Sequence, residues 1–382
     1  MECEKLFERI DEMYEKYLDI WEDVCNIESP TDFKEGVDKV GEYFMERAKE
    51  LGFEIEILKQ NVAGDAICIT MNSDSKNKPV VLSGHTDTVH PIGLFGYPPV
   101  TRDAENMYGP GVMDCKGGAV ACLYAMDALS KCGYKDRPVM LILQSDEEKS
   151  SVPSNLETIK FMCEKSKDAI AFLNCEGHVK DTVVVKRKGI LRFEINVHGV
   201  ALHSANAAKA SNAVLEAAYK IIELEKIKDN DGLTFNCGVI HGGTTPNTVA
   251  GECSFFVDIR FTSNEEEQWA REKVSEVTSH ITVEGCSAEV KQVSYRPAME
   301  IADANLKLVE TMNRIYRENG LPELEKRFCM SGSDTAYTTV AGIPCVDCIG
   351  VSGGKIHSIE EYAALTSLKE SAKRLASVAY CI

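Results

Sequence analysis

The 382-residue chain has no run approaching the roughly 18 consecutive apolar residues of a membrane-spanning helix, which excludes a helical membrane protein. Its first two dozen residues have helical spacing and many acids but lack the apolar core of a secretory signal. A cytoplasmic protein is therefore expected. Positive charge is in deficit: 42 Lys and Arg stand against 60 Asp and Glu, a net charge of -18. Such a balance argues against a nucleic-acid partner. The glycine-rich GGTTPNT at 242–248 lacks the Lys-Ser/Thr pair of a phosphate loop. Repeats and low-complexity tracts are absent. Cys345 and Cys348 form a CxxC with no second pair to complete a structural zinc site, so both read as small core residues. Fifteen cysteines without a secretion signal suit reduced thiols in a cytoplasm.

What is present is ordinary for a globular protein and long enough for two domains, with 44% hydrophobic and 27% charged residues. The informative stretch runs from Val80 to Gly118. Val80, Val81 and Leu82 suit a buried strand. The run stops at Ser83-Gly84, and His85 and Asp87 follow on alternate positions that can face one site. Asp87 can accept a hydrogen bond from the far ring nitrogen of His85, as carboxylates beside metal-bound histidines do. Asp114 lies in a loop with Gly109, Gly111, Gly117 and Gly118, where backbone can approach a ligand closely. Singly, these are a satisfied histidine and two solvated acids. Together, just past a buried strand, they point to a site.

Along the chain, amphipathic spacing predicts helices over 5–25 and 32–51, the second with Asp32 as N-cap and Gly52 as stop. Strands are expected at 54–59, 65–71, 80–83, 139–143 and 169–173. Helices are expected at 117–130 and 157–164. Helices alternating with apolar strands indicate an α/β fold, a mostly parallel sheet with helices on both faces. From Gly189 the texture changes. Strands near 191–197, 235–240, 252–261 and 288–295, with helices near 211–226 and 264–281, follow a β-α-β-β-α-β order, a ferredoxin-like α+β unit. The expected division is a larger domain of residues 1–187 and 298–382 with an inserted domain at 188–297. After Pro297 a helix at 304–319, a strand near 344–349 and a closing helix from 360 to the end are expected.

Three apolar strands end in His85/Asp87, Glu147/Glu148 and Glu176, and the segment after 344–349 brings His357. In open α/β sheets, ligands bind beyond the carboxyl ends of the strands. Imidazoles and carboxylates without thiolates suit Zn²⁺, Co²⁺ or Mn²⁺. Two histidines and three carboxylates exceed the needs of one catalytic zinc and suit a pair of metals. Glu147, beside Glu148, is left over and is the expected general base. His90, His178, His198, His241 and His280 fall at no motif position and read as surface or core histidines.

HTDTV, YGPGVMDCKGG, SDEE, CEGH and the final HS resemble, in order and spacing, the family of two-zinc peptidases and deacylases. That family includes glutamate carboxypeptidases, aminoacylases, acetylornithine deacetylase and succinyl-diaminopimelate desuccinylase. The resemblance spans nearly the whole chain. It implies a zinc-exopeptidase-like fold with the insert as lid and dimerisation domain. It implies that Asp114 bridges two ions, that His85 and Glu176 hold one, and that Glu148 and His357 hold the other. Glu147 would be general base and Asp87 would orient His85. A cis peptide is implied after the bridging residue, at Asp114-Cys115. In the insert, His203, Asn247 and Arg260 match substrate-binding positions, reached in relatives across a dimer interface. Gly332 and Ser333 lie where relatives hold the substrate carboxylate through backbone. The chain departs from the family pattern after SDEE, where Lys149-Ser150-Ser151 replaces a small turn.

The expected activity is metal-dependent hydrolysis of an amide bond next to a free carboxylate, as a carboxypeptidase or dipeptidase. The alternative is an N-acyl amino acid deacylase like acetylornithine deacetylase. The expected cofactors are two divalent ions, zinc before cobalt or manganese. The expected partners are a small peptide or N-acyl amino acid and a second copy joined through the lid. A metal-binding scaffold without catalysis would want a missing base or ligand, and none is missing. Two-metal phosphoester hydrolysis would want a basic pocket, which an acidic chain scarcely offers.

Overall fold

The computed structural model describes residues 3–229 and 231–382. The chain divides into two compact units. The first comprises Met1–Val185, Ile301–Phe328 and Ser333–Ile382. Its central sheet has six strands, β1 (Glu54–Leu58), β2 (Ala66–Met71), β3 (Val80–His85), β4 (Val139–Gln144), β5 (Ala171–Asn174) and β6 (Cys345–Val346). Their spatial order is β1-β2-β4-β3-β5-β6. β3 runs parallel to β4 and β5, and β6 parallel to β5, whereas β1–β2 and β2–β4 are antiparallel. β3, β4 and β5 are buried along their whole length. Their unbroken apolar runs are what a strand covered on both faces requires. The parallel register aligns the strand ends that matter, with His85 beside Gln144 and Ser83 beside Asn174.

The helix Lys116–Lys131 is buried from Lys116 to Leu129. It is apolar nearly all round, as a helix inside a core must be, and the closing helix Leu365–Cys381 packs on it. Gly118 is where this helix meets the end of β5. A Cβ there would stand 1.8 Å from the Cys175 carbonyl oxygen. Only a glycine lets the backbone after Asp114 come this close to the turn that carries Glu176.

Several elements differ from the periodicity. The first helix is two, Cys3–Glu12 and Tyr14–Asn26. The Tyr124 hydroxyl donates to the Ile10 carbonyl at the break, and a side chain inserted into the helical ladder interrupts it. The next helix spans Lys34–Glu50 with Phe33 at its N-cap and no side-chain cap. Asp32 instead pairs with Lys149. Gly52 does stop it, at φ +72°. The closing helix starts at Leu365, not Glu360, because Tyr362–Ala364 forms a strand against Asn106–Tyr108. The strand expected at 344–349 is only Cys345–Val346.

The second unit comprises Lys186–Glu300 and Cys329–Gly332. Its sheet is antiparallel, in the order Thr234–Gly242, Glu252–Phe261, Gly189–His198 and Ser287–Arg296. The β-α-β-β-α-β order read from the sequence is present. Leu191, Phe193, Ile195 and Val197 pack with Phe255, Val257 and Ile259 against Ala213, Ala217, Ala270 and Val274 of the helices Ala213–Leu224 and Asn264–Ser279. Period-two alternation in the central strands leaves one sheet face for the helices and one open.

Replacing Gly118 tests the close approach. In an open helix alanine exceeds glycine by ~1 kcal/mol. Here Gly118→Ala is expected to lose about 1–3 kcal/mol to overpacking, read as a lower Tm by calorimetry. A Tm at or above wild type contradicts the packing argument.

Candidate metal centre

The site is built at the carboxyl ends of β3, β4 and β5. His85 closes β3 and is 1% exposed. Its Nδ1 faces Asp87, 3.0 Å from the carbonyl oxygen and 3.2 Å from Oδ1. Asp87 is fully buried and does more than face His85. Its carboxylate accepts from the Thr31 hydroxyl at 2.8 Å and from the backbone N–H groups of Glu147 and Glu148, each at 3.2 Å. One carboxylate therefore orients the histidine of β3 and anchors the turn after β4. Sequence reasoning missed Thr31, which carries no motif, and it missed that the Glu147-Glu148 backbone reads Asp87.

Asp114 lies between two histidines. Its Oδ1 is 3.1 Å from His85 Nε2, and its Oδ2 is 3.2 Å from His357 Nε2. Glu176 Oε1 stands 3.6 Å from His85 Nε2, and Glu148 Oε2 stands 3.3 Å from His357 Nε2. The structure thus brings His85, Asp114, Glu148, Glu176 and His357 together in two groups that share Asp114. Glu147 is buried at the same turn as Glu148. The Asp114-Cys115 peptide is cis. His357 has φ 61°, the left-handed region that a side chain seldom adopts, at an exposed position.

These contacts make an electrostatic demand. Burial pushes the Glu148 carboxyl up to about 7 and Glu176 well above its ordinary range, with the Asp114 charge adding to both. Against the upward push of burial, hydrogen bonds from His357 and His85 hold Asp114 well below its ordinary value. Hydrogen bonds to Asp114 and Glu148 raise His357 to about 10. Each imidazole Nε2 looks at carboxylate oxygens, and two acceptors cannot face each other without a proton or cation between them. Two ligands of one tetrahedral zinc stand ~3.4 Å apart, given bonds of ~2.1 Å. The observed 3.1–3.6 Å separations match that spacing on both sides of Asp114. The residues present fit a pair of divalent cations.

Cys115 also comes near, in a group with His85 and Glu176 whose donor atoms lie within 4.8 Å of one another. Its Sγ donates to the Cys175 carbonyl at 3.2 Å, and burial pushes the thiol well above its ordinary value. Burial thus disfavours its thiolate, and the contacts across Asp114 are made by nitrogen and oxygen donors.

The remaining predicted residues lie elsewhere. Ser333 belongs to the first unit, buried, its hydroxyl donating to Asp347 at 2.6 Å and accepting from Asn174 at 3.2 Å. Gly332 belongs to the second unit. So do His203 and Asn247, both exposed and joined where the Ser204 N–H donates to the Asn247 carbonyl. Arg260 is half-buried, and its Nε and Nη2 donate to Asp258 at 2.6 and 3.3 Å. Arg192 donates to the same carboxylate. His90 and His178 are buried, bonded to Glu361 and the Cys348 carbonyl. His198 is half-buried and pairs with Glu252, and His241 and His280 are exposed.

Residues 81–380 match the sequence profile of "Peptidase family M20/M25/M40". Carboxypeptidase G2 of Pseudomonas sp. (strain RS-16) is 27% identical over 356 residues, covering 91% of this chain and 84% of its own. Succinyl-diaminopimelate desuccinylase of Thioalkalivibrio sulfidiphilus is 25% identical, covering 85% and 88%. The fold is shared with the M20 family metallo-carboxypeptidase Sso-CP2 of Sulfolobus solfataricus, at a TM-score of 0.77 and 17% identity over 95% of this chain and 98% of that one.

Asp87→Ala removes an acceptor from four donors without touching a metal-facing atom. Outer partners of metal ligands are typically worth ~10- to 100-fold in affinity. Zinc affinity of this variant, measured by competition with a chromophoric chelator, is expected to fall by that factor. Wild-type affinity would separate Asp87 from the centre.

Proposed function

The chain belongs to peptidase family M20/M25/M40, a metal-dependent amide hydrolase, and from that premise we propose a two-metal carboxypeptidase or dipeptidase that cleaves an amide bond next to a free carboxylate. The observation that carries this reading is Asp114, which offers one oxygen to the His85 side and the other to the His357 side. His85 and Glu176 would hold one ion, Glu148 and His357 the other, with Asp114 between them. The donor set suits Zn²⁺ and also accepts Co²⁺ or Mn²⁺. The bound cations would polarise the scissile carbonyl and acidify a water.

Glu147 acts as general base. It takes the proton of the attacking water and hands it to the leaving amine. Its backbone is fixed by Asp87, so the base and the His85 ring are oriented by one residue. His203 would donate to the developing oxyanion, and Asn247 would help hold the substrate. Arg260 would grip the substrate carboxylate; its bonds to Asp258 mean that it must share or exchange that partner. The backbone at Gly332 and Ser333 would meet the same carboxylate. Carboxypeptidase G2 among the relatives supports the peptidase reading. The desuccinylase supports a second reading, an N-acyl amino acid deacylase. Rates on a panel of dipeptides, acyl-glutamates and other N-acyl amino acids decide between them. The net charge of -18 and the fifteen cysteines support a cytoplasmic enzyme without a nucleic-acid partner.

Glu147→Gln is expected to lower kcat by at least ~10²- to 10⁴-fold while elemental analysis finds the wild-type metal content. Near wild-type turnover would remove Glu147 from this role.

We propose further that the enzyme is a homodimer joined through the second unit, with His203 serving the partner's site. Thr234–Gly242 and Ser287–Arg296 are the outer strands of an open antiparallel sheet and leave edges that native proteins cover or pair. A two-fold pairing of such edges is the commonest closed arrangement. His203→Ala and Glu147→Gln protomers, each poorly active, should regain part of the activity when mixed and allowed to exchange, since each mixed dimer holds one intact site. A monomer by sedimentation at micromolar concentration, or proven exchange without recovery, contradicts the dimer.

A further inference from the structure

Glu361 is four residues past His357 and matches none of the motifs read from the sequence. Tyr362–Ala364 pairs antiparallel with Asn106–Tyr108, the strand that leads into the Gly109–Asp114 loop. This pairing sets Glu361, 1% exposed, against that loop. Its Oε1 accepts the backbone N–H of Met113 at 2.9 Å and of Asp114 at 3.1 Å. Its Oε2 is 2.8 Å from His90 Nε2. A carboxylate oxygen only accepts, so the ring donates there. His90 is 5% exposed, five residues beyond His85, and its ring meets Phe95 edge-on at 5.0 Å. The Glu361 carbonyl also accepts the Gly109 N–H.

We infer that Glu361 is a positioning residue of the metal centre, holding the peptide of the shared ligand Asp114 and tying it through His90 to the segment that carries His85. It touches neither substrate nor metal in this account, which rests on the two-metal reading above. Asp114 must present its two oxygens to opposite sides, so a small rotation of its backbone would spoil both groups at once. Two N–H bonds to one buried oxygen fix that rotation. His90 fixes the oxygen's own side chain, and links the β3 end and the final segment to one carboxylate.

The test uses full-length holoenzyme and Zn²⁺ competition with a chromophoric chelator, alongside bound zinc per chain and Tm. Glu361→Ala is expected to weaken zinc binding ~10- to 100-fold. Glu361→Gln keeps an oxygen for the two N–H groups and should restore most of that affinity. His90→Ala should weaken binding less than Glu361→Ala. The double variant should bind no more weakly than Glu361→Ala, because His90 acts only through Glu361. A folded Glu361→Ala chain with wild-type zinc affinity, even at a lower Tm, overturns the inference. If Glu361→Ala does not fold, His90→Ala decides alone, and wild-type affinity in that variant overturns it. A wild-type chain that binds no divalent metal would instead remove the two-metal reading itself, and this inference with it.

Discussion

The Asp114 carboxylate is the constraint on which the rest of the site depends. One oxygen meets His85 and the other meets His357, so two groups of ligands from segments about 270 residues apart are brought to one side chain. A carboxylate can serve both sides only if its plane and its backbone are held. The Glu361 bonds to its backbone and the glycine-lined helix start beyond it both bear on that orientation. Gly118 belongs to this constraint as much as any charged residue. Without the close approach of its backbone to Cys175, the Glu176 turn and the Asp114 loop could not meet.

The charges explain why such a cluster tolerates burial. Burial makes Glu148 and Glu176 hold their protons more tightly than usual, while hydrogen bonds from the two imidazoles make Asp114 hold its proton less tightly. Cations in the two positions would answer the demand that the protonated rings answer without them. Asp87 sits behind this arrangement and takes four donors, which makes it the joint between the β3 and β4 ends. Glu147, the proposed base, is thereby placed by the same residue that faces the His85 ring.

How much of this was legible depended on whether a signal was local. The unbroken apolar runs of β3, β4 and β5 announced buried parallel strands, and the acids directly after them announced the crevice. The alternation in 191–197 announced a half-exposed strand of the second unit. The five clustered side chains were each named from sequence. What stayed hidden was long-range. Tyr124 breaks a helix more than a hundred residues earlier through one hydrogen bond. Asp32 is drawn from a helix cap to Lys149. Three-residue strands such as Asn106–Tyr108 and Tyr362–Ala364 are too short for a period and exist because they pair. Glu361, Thr31 and His90 belong to no motif, and their importance follows only from whom they meet. Arg260, at a substrate-binding position of the resembled family, is bonded to Asp258, a contact that no motif reports.

Asp114 is proposed to stand between two cations. Crystals of the enzyme grown with zinc, with diffraction recorded on both sides of the zinc absorption edge, test it directly. Two anomalous peaks per chain are expected flanking Asp114, one against His85 and Glu176 and one against Glu148 and His357. A single peak, or two peaks away from Asp114, would contradict it.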